Sequence, residues 1–164
     1  MTLRRRLAVS VMIGALILVG GLAGIASAAP SAVGVPALSA SKASSVVRAA
    51  GYTSISLGGY DQNSDLSVIV GLRSTSADGH PQRAFFFHRG ALIGQDLPQA
   101  SATIRWIWST DRVVALQYDL YKPGDPMCCP TAGGATVRYQ WNGSSVTPLD
   151  PIPSAASSAS ASRR

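Results

Sequence analysis

The sequence predicts a single small α+β domain in which an antiparallel β-sheet, made of two hairpin or meander units, packs on one N-terminal helix. Three observations support this fold class. A short helical pattern is followed only by segments in which apolar and polar residues alternate, as in half-buried strands. Glycine turns separate these segments, and two stretches of the chain repeat the same order of strands and turns. The ordered region, residues 39–153, is long enough for one hydrophobic core and too short for two.

Residues 1–28 are predicted to be a signal peptide. Arg4–Arg6 form a positive n-region, residues 7–22 are apolar, and Ala26–Ala28 is a small-residue cleavage site. An uncleaved membrane anchor is the alternative, because the apolar stretch approaches the roughly 20 residues that span a bilayer. Ile25 stands where a lipoprotein carries its acylated cysteine, so the cleaved product is expected to be exported without a lipid anchor.

Both ends of the mature chain have compositions typical of disorder. Residues 29–38 form a predicted flexible linker, and residues 154–164 form a Ser/Ala tail that ends in two arginines. Of the 14 basic residues, three lie in the signal peptide, and the chain has 8 acidic residues. The small remaining positive excess predicts no nucleic-acid partner, because two of its arginines lie at the very end of the tail.

The first element is a predicted helix over residues 42–50. Ser41 is the N-cap candidate, and Gly51 ends the helix. One side of the helix carries its apolar residues, Ala43, Val46, Val47 and Ala50. Alternation then predicts strands over residues 66–73, 84–88, 103–109, 114–120, 137–141 and 144–148.

Two turns organise these strands into repeated units. Arg89-Gly90 ends one hairpin, and Asn142-Gly143 is predicted to be a two-residue hairpin turn in the other. Matching Gly90 to Gly143 aligns two three-stranded meanders, and the second copy has a longer loop that contains Cys128 and Cys129. The repeat therefore predicts a duplicated meander.

Several segments resemble a known family. They are Gln82–Phe87, Tyr121–Gly134 with its Pro-Gly-Asp-Pro-Met-Cys-Cys-Pro stretch, and Val137–Gly143 leading into Pro148–Pro153. Over residues 51–153 the chain resembles the LppP/LprE family of actinobacterial exported lipoproteins. The resemblance implies a cell-envelope protein, and it carries no catalytic residues with it. The chain departs from the family pattern by lacking the signal cysteine, which puts lipid anchoring in doubt.

The two cysteines are adjacent and are the only ones in the chain. Three states are open: a disulfide between the neighbours, an intermolecular disulfide, and a free dithiol that binds metal. The vicinal disulfide is favoured in an exported protein, although α-carbons about 3.8 Å apart are closer than disulfides usually allow. The residues expected to shape this loop are Gly124, Pro126, Pro130, Gly133 and Gly134. The bridge is expected to rigidify the loop rather than to catalyse, because oxidoreductases usually carry Cys-x-x-Cys.

No catalytic residues, metal site or cofactor are predicted. His80 and His88 are the only near-neutral bases, and both are interpreted as loop or strand-end residues. Residues 61–65 begin like a calcium loop, but Leu66 and Leu72 occupy the positions of its glycine and bidentate glutamate. A polar turn is the preferred interpretation of this segment.

The aromatic residues are the candidates for ligand contact. Trp106 and Trp108 are predicted to share one face of their strand, as are Tyr139 and Trp141, while Tyr121 borders the cysteine loop. The alternative is that these side chains form the core. The leading functional hypothesis is a monomeric, non-catalytic module that binds a protein, glycan or lipid component of the cell envelope. It would meet the membrane only through an uncleaved signal segment. The alternative is a thiol-redox enzyme or sensor that uses the cysteine pair.

Overall fold

Helix α1 spans Ala40–Ala49 and lies near the start of the part of the chain that the computed structural model describes, residues 37–97 and 100–158. Its N-cap is Ser39 rather than the predicted Ser41, because the amide of Ala43 already donates to the carbonyl of Ser39 at 2.8 Å. Gly51 ends the helix as predicted, with a positive φ of 85°. The predicted signal peptide and nearly all of the predicted linker lie outside the described residues.

Eight strands form two four-stranded antiparallel sheets, each in sequence order. The first sheet contains β1 (Tyr52–Ser56), β2 (Ser67–Arg73), β3 (Gln82–His88) and β4 (Ala91–Gln95). The second contains β5 (Ile104–Ser109), β6 (Val113–Asp119), β7 (Gly134–Trp141) and β8 (Val146–Pro148). The predicted α+β class and its two meander units are confirmed. Each unit has one strand more than the aligned repeat, and β1 was not predicted.

The first sheet lies between the helix and the second sheet. Alternate residues of β2 explain this arrangement, because Val68 and Val70 face the second sheet while Ile69 faces helix α1. The core between the sheets contains Leu66, Val68, Val70, Ala84, Phe86, Ile104, Val114, Leu116, Tyr118, Val137, Tyr139 and Trp141. The smaller core under the helix contains Ala43, Val47, Tyr52, Ile69, Phe85 and Phe87. Strands buried on both faces need the continuous apolar runs that β2 and β3 carry.

All four edge strands carry features that interrupt strand pairing. In β1, β4 and β5 the register skips one residue, and in each strand that residue is an isoleucine: Ile55, Ile93 and Ile107. Such β-bulges twist an edge and discourage further strands from adding to it. The fourth edge, β8, has three residues and ends in Pro148, which has no N–H to donate.

The two hairpin turns differ in length. Arg89 and Gly90 both have positive φ, 45° and 79°, which is the geometry of a two-residue type I′ turn. The prediction of a two-residue turn at Asn142-Gly143 was wrong. β7 ends at Trp141 and β8 begins at Val146, so four residues connect them. The side-chain oxygen of Asn142 accepts the amides of Ser144 and Ser145, each at 2.9 Å, and this Asx-type turn widens the loop.

The C-terminal segment is ordered further than its composition indicated. Residues 154–158, placed by the sequence in a disordered tail, contain the short helix α2 (Ala155–Ser158). The carbonyls of Ser157 and Ser158 accept the amides of Tyr121 and Ala102, each at 2.8 Å. Backbone hydrogen bonding therefore overrides the low apolar content here. Residues 159–164 lie outside the described part of the chain.

Candidate functional site

A groove of about 360 Å³ opens between β1 of the first sheet and β5 of the second. Its lining residues are Ile55, Ser56, Gln82, Thr103, Ile104, Arg105 and Trp106. Both strands lie at the edge of their sheets, so the groove runs along one open side of the two-sheet core. The site is thus built on strands rather than on loops.

Gln82 ties the two sheets together beneath the groove. Its side-chain oxygen accepts the amide of Ile104 at 2.8 Å, and its side-chain nitrogen donates to the carbonyl of Gly79 at 3.1 Å. Its backbone amide donates to the carbonyl of Ser101 at 2.7 Å. Because this glutamine is buried and hydrogen-bonded through both its side-chain oxygen and its side-chain nitrogen, it fixes the position at which β5 enters the second sheet.

Glycines let the β1–β2 connection lie directly on Trp106. A Cβ built on Gly58 would come within 2.8 Å of the Trp106 ring, and one on Gly59 within 2.7 Å of that ring and 2.6 Å of Val68. No other residue type fits at this distance without displacing a neighbour. The indole nitrogen of Trp106 donates to the hydroxyl of Ser109 at 2.8 Å, which fixes the ring orientation.

Four exposed apolar residues belong to the two strands that border the groove or, in the case of Leu57, follow β1 directly, and we call them the apolar ridge: Ile55, Leu57, Ile107 and Trp108. Their exposed fractions are 47%, 44%, 44% and 42%. The bulges in β1 and β5 place two of them, Ile55 and Ile107, outside the regular pairing of the sheets. Ile55 also lines the groove, and exposed apolar side chains on strands that border a groove indicate an interaction surface.

The prediction that Trp106 and Trp108 share a face was wrong. Trp106 pairs with Leu116, whose side chain lies in the core, while Trp108 pairs with Ala115, the next residue along β6. Paired residues point to the same side of a sheet, so the bulge at Ile107 sends the two indoles to opposite faces. Trp106 packs against the core, and Trp108 is exposed.

The other three aromatic candidates are buried. Tyr139 and Trp141 share a face of β7, as predicted, and both belong to the core between the sheets. Tyr121 packs with Ala102 and Met127 in a small separate cluster. Trp108 is therefore the candidate among the five that the structure leaves available to a partner, with Trp106 forming the wall of the groove.

The cysteines lie on the long β6–β7 loop and are joined by a disulfide, so the vicinal state is the one that the structure contains. Both residues are exposed. On the inner side of the loop, the Tyr121 hydroxyl donates to the carbonyl of Met127 at 2.7 Å. Because Tyr121 packs on Ala102, which precedes the groove residue Thr103, the loop and the groove are neighbours.

Asp125 holds the loop closed, a role that was not predicted from the sequence. Its carboxylate accepts the amides of Lys122 at 2.7 Å and Thr131 at 2.8 Å, and also the hydroxyl of Thr131 at 2.9 Å. These hydrogen bonds, led by that from Lys122, lower the pKa of Asp125. The available signal was the Pro-Gly-Asp turn, in which an aspartate oxygen commonly caps nearby amides.

The residues expected to shape this loop have distinct positions. Gly124 and Gly133 have positive φ, 90° and 82°, which favours glycine. The carbonyl of Pro126 accepts the amide of Cys129 at 3.1 Å. Gly134 is the first residue of β7 and lies against the side chain of Gln117. Pro130, the last of the five, directly follows the disulfide.

Both histidines are engaged with backbone carbonyls. The Nδ1 atom of His80 lies 2.7 Å from the carbonyl of Ala102. The Nδ1 atom of His88 lies 2.7 Å from the carbonyl of Asp65 and 4.0 Å from its carboxylate, and the ring stacks on Trp141 at 4.2 Å. His88 thus serves as a contact between strand ends rather than as one half of an Asp–His pair.

A buried polar chain connects the two sheets at another point. The hydroxyl of Tyr118 donates to the carboxylate of Asp96 at 3.0 Å and lies 2.7 Å from the hydroxyl of Tyr139. Burial raises the pKa of Asp96 to about 6. The hydrogen bonds from Ala84 and Tyr118 and the charge of Arg83 lower this pKa, but their effect is smaller than that of burial. Burial also raises the pKa values of both tyrosines. The only signal for Asp96 in the sequence was its place after the third strand of the first repeat.

The described residues bring no metal-binding cluster together. Among residues 37–97 and 100–158, no group of three or more His, Cys, Asp or Glu side chains could hold an ion. The segment that resembles a calcium loop is a turn, in which the Asp61 carboxylate accepts the amide of Asn63 and the hydroxyl of Ser64. In the same described part of the chain, neither helix has the length and hydropathy needed to cross a bilayer.

Comparison with known proteins identifies the family. The model of the LppP/LprE lipoprotein family matches residues 58–144, which is more than half of the chain and runs from the groove-side glycines to the β7–β8 turn. Neither a curated protein nor a solved structure matches the chain. The resemblance noted in the segments around the cysteine loop is therefore confirmed. The chain belongs to the LppP/LprE lipoprotein family, a group of envelope-associated proteins.

Proposed function

We propose that this domain is a non-catalytic binding module of the cell envelope, and that the apolar ridge with its groove is the binding surface. One observation carries the proposal. Seven large apolar side chains are exposed in the described part of the chain, and four of them lie on β1 and β5 or directly after β1, the strands that border the groove. Such a concentration costs solubility and is kept where a partner covers it.

The chemistry of the groove defines the partner. Its rim is apolar, through Ile55 and Trp106, while Gln82, Thr103 and Arg105 add polar groups. Arg105 is paired with Asp119 on the outer face of the second sheet, so the groove has no large unpaired charge at that point. These features fit an amphipathic envelope component, whether protein, glycan or lipid, that buries an apolar surface against the ridge.

Recognition is expected through side chains rather than through strand addition. The bulges at Ile55 and Ile107 break the regular backbone spacing that an added strand would need. The same feature supports a monomeric domain, because edge-to-edge pairing of two copies meets the same obstacle. Instead of backbone strand addition, the isoleucines at the bulges supply apolar contact area.

Two features favour binding over catalysis. The ring nitrogens of His80 and His88 that approach other groups are engaged with backbone carbonyls. The carboxylate of Asp65 lies 4.0 Å from His88, beyond hydrogen-bonding distance, and is paired with Arg89 at 2.9 Å. A general base oriented by a carboxylate would require a shorter contact.

The proposal is tested by photo-crosslinking of the full-length protein in intact cells. A photoreactive residue at position 107 lies on the apolar ridge, and one at position 136, on the exposed face of β7, is the matched control. We expect a discrete adduct from position 107, identified as protein, glycan or lipid by its mass. The adduct should be lost when Ile55→Ser removes part of the ridge. Equal adducts from both positions, or none from position 107, would contradict the proposal.

A further inference from the structure

We propose that Cys128 and Cys129 form a reversible thiol–disulfide site, which exchanges with a protein dithiol in the envelope while the fold stays intact. This goes beyond the binding function and concerns a different surface. The proposal depends on what holds the β6–β7 loop, on what the disulfide encloses, and on the exposure of the two cysteines.

The loop is closed by contacts that do not involve sulfur. At its base, Leu120 donates to the carbonyl of Gly133 at 2.9 Å, and Ala132 donates to the carbonyl of Leu120 at 3.0 Å. Further out, Asp125 bonds residues from both sides of the loop, Lys122 and Thr131. None of these bonds involves a cysteine, so reduction is not expected to release the loop.

The bridge itself encloses no chain between its two residues. A disulfide stabilises a fold mainly by restricting the unfolded chain, and this restriction grows with the length of the enclosed segment. Cys128 and Cys129 are adjacent, with Cα atoms 3.8 Å apart, so the bridge joins no distant elements. The expectation that it serves to rigidify the loop is therefore weakened, since Asp125 and Tyr121 already do so.

Exposure makes the sulfurs available for exchange. Both cysteines are exposed, whereas Met127 beside them packs inward on Tyr121 and Ala102. No other cysteine occurs in the chain, so neither thiol has a second intramolecular partner after reduction. The pair therefore has two discrete states, a disulfide and a dithiol.

The exchange proceeds through a mixed disulfide between the two proteins. A thiolate of the partner dithiol attacks one sulfur of the pair, the Cys128–Cys129 bond breaks, and the departing thiolate takes up a proton. A mixed disulfide now joins the two proteins. The second thiolate of the partner attacks its own mixed-disulfide sulfur and releases the other cysteine of this chain, which is protonated in turn. Two electrons and two protons pass to the pair, and the partner becomes a disulfide.

The first experiment combines redox titration with thermal unfolding of the mature protein. Buffers of reduced and oxidised dithiothreitol set the potential, and alkylation with intact-mass measurement counts the thiols. We expect both cysteines to become alkylated together on reduction and to be protected together on reoxidation. The unfolding midpoint should differ between the two forms by less than about 4 °C. A much larger fall in the midpoint on reduction would overturn the proposal and identify the bridge as a structural clasp. Labelling only after denaturation in urea would overturn it equally.

A second experiment tests exchange with a protein. Reduced thioredoxin whose resolving cysteine is replaced by serine should form one mixed disulfide with the native chain, released by dithiothreitol. The double variant Cys128→Ser/Cys129→Ser is the control and should form none, while keeping its unfolding midpoint and its crosslink from position 107. If thioredoxin forms the adduct only with the urea-unfolded chain, the site is not an exchange site.

The variant Asp125→Ala distinguishes the contribution of Asp125 to loop order from that of the disulfide. It should loosen the loop, measured as faster amide exchange of Thr131, in both the oxidised and the reduced protein. If amide exchange at Thr131 instead rises on reduction of the unsubstituted protein, the disulfide holds the loop and the proposal fails.

Discussion

Asp96 and Asp150 hold the same position in the two sheets: each carboxylate accepts the backbone amide of the residue twelve positions earlier, Ala84 in the first and Arg138 in the second. The distances are 3.1 Å and 2.9 Å. The side chains around them differ. The guanidinium of Arg138 donates to the carboxylate of Asp150. Ala84 has no polar side chain, and the carboxylate of Asp96 instead accepts the hydroxyl of Tyr118. One position of the repeat thus carries two carboxylates with opposite pKa shifts.

Asp96 is expected to make the protein less stable as pH rises. Its pKa is about 6 in the folded state against 3.8 ordinarily, so the folded state holds the proton more tightly than the unfolded chain. The favourable contribution is complete below about pH 4 and is lost as pH rises through about 6, a change on the order of 3 kcal/mol. The variant Asp96→Asn cannot ionise and should remove this slope. Urea unfolding at several pH values between 4 and 8 measures it, and an unchanged slope in the variant would refute the assignment.

Asp150 is expected to act in the opposite direction. Hydrogen bonds from Arg138 lower its pKa to about 2, so its contribution to stability is present above its ordinary value and lost as pH falls toward 2. The variant Asp150→Asn should reduce the loss of stability in acid while leaving the slope assigned to Asp96 in place. The effect should be small, because the pair is exposed to solvent. Thermal unfolding between pH 2 and pH 5 checks this prediction.

Gly59 is expected to tolerate no side chain. The variant Gly59→Ala places a methyl group against Val68 and the Trp106 ring, and should cost about 1–3 kcal/mol of unfolding free energy. The control Gly94→Ala lies in β4, where nothing is within 4 Å of the added Cβ, and should change stability by less than about 1 kcal/mol. Urea unfolding of both variants makes the comparison. If both variants lose the same unfolding free energy, the close approach of Gly59 to Trp106 does not contribute to stability.

The segment 154–158 is expected to be part of the folded domain. A chain ending at Pro153 lacks the carbonyls that accept the amides of Ala102 and Tyr121, and should lose about 0.5–1.5 kcal/mol for each hydrogen bond removed. A chain ending at Ser158 keeps both acceptors and is the control. Unfolding free energies of the two truncated chains provide the measurement. A chain ending at Pro153 that is as stable as the control would restore the earlier assignment of this segment to the tail.

Alternation and turn residues were sufficient to predict most of the fold. The strands around Val68, Phe86, Leu116 and Tyr139 follow from apolar residues at every second position or from continuous apolar runs. β1 was missed because its Tyr-Thr-Ser-Ile-Ser sequence has little apolar content and follows a helix directly. Tertiary pairing with β2 decides its structure, and a local pattern does not report that.

The candidate site was less predictable than the fold. A bulge changes which residues share a face, and nothing in the alternation around Ile107 indicates that one is present. The groove depends on two edge strands meeting across the core, which is a property of the assembled sheets. The cysteine pair could be found from the sequence because adjacency alone defines it, whereas Asp125, which holds its loop, could not be distinguished from an ordinary turn aspartate.

At the edge of a sheet, apolar side-chain contact and backbone strand addition usually occur together, and the three bulged isoleucines separate them. Their side chains remain free to make apolar contacts, while the kinked backbone beside them gives no template for a further strand. We therefore expect these edges to make apolar side-chain contacts without templating the strand stacking that leads to fibres. Under the proposed binding function, substitutions at these three positions are expected to change the apolar contacts with a partner while the bulged backbone still hinders strand addition.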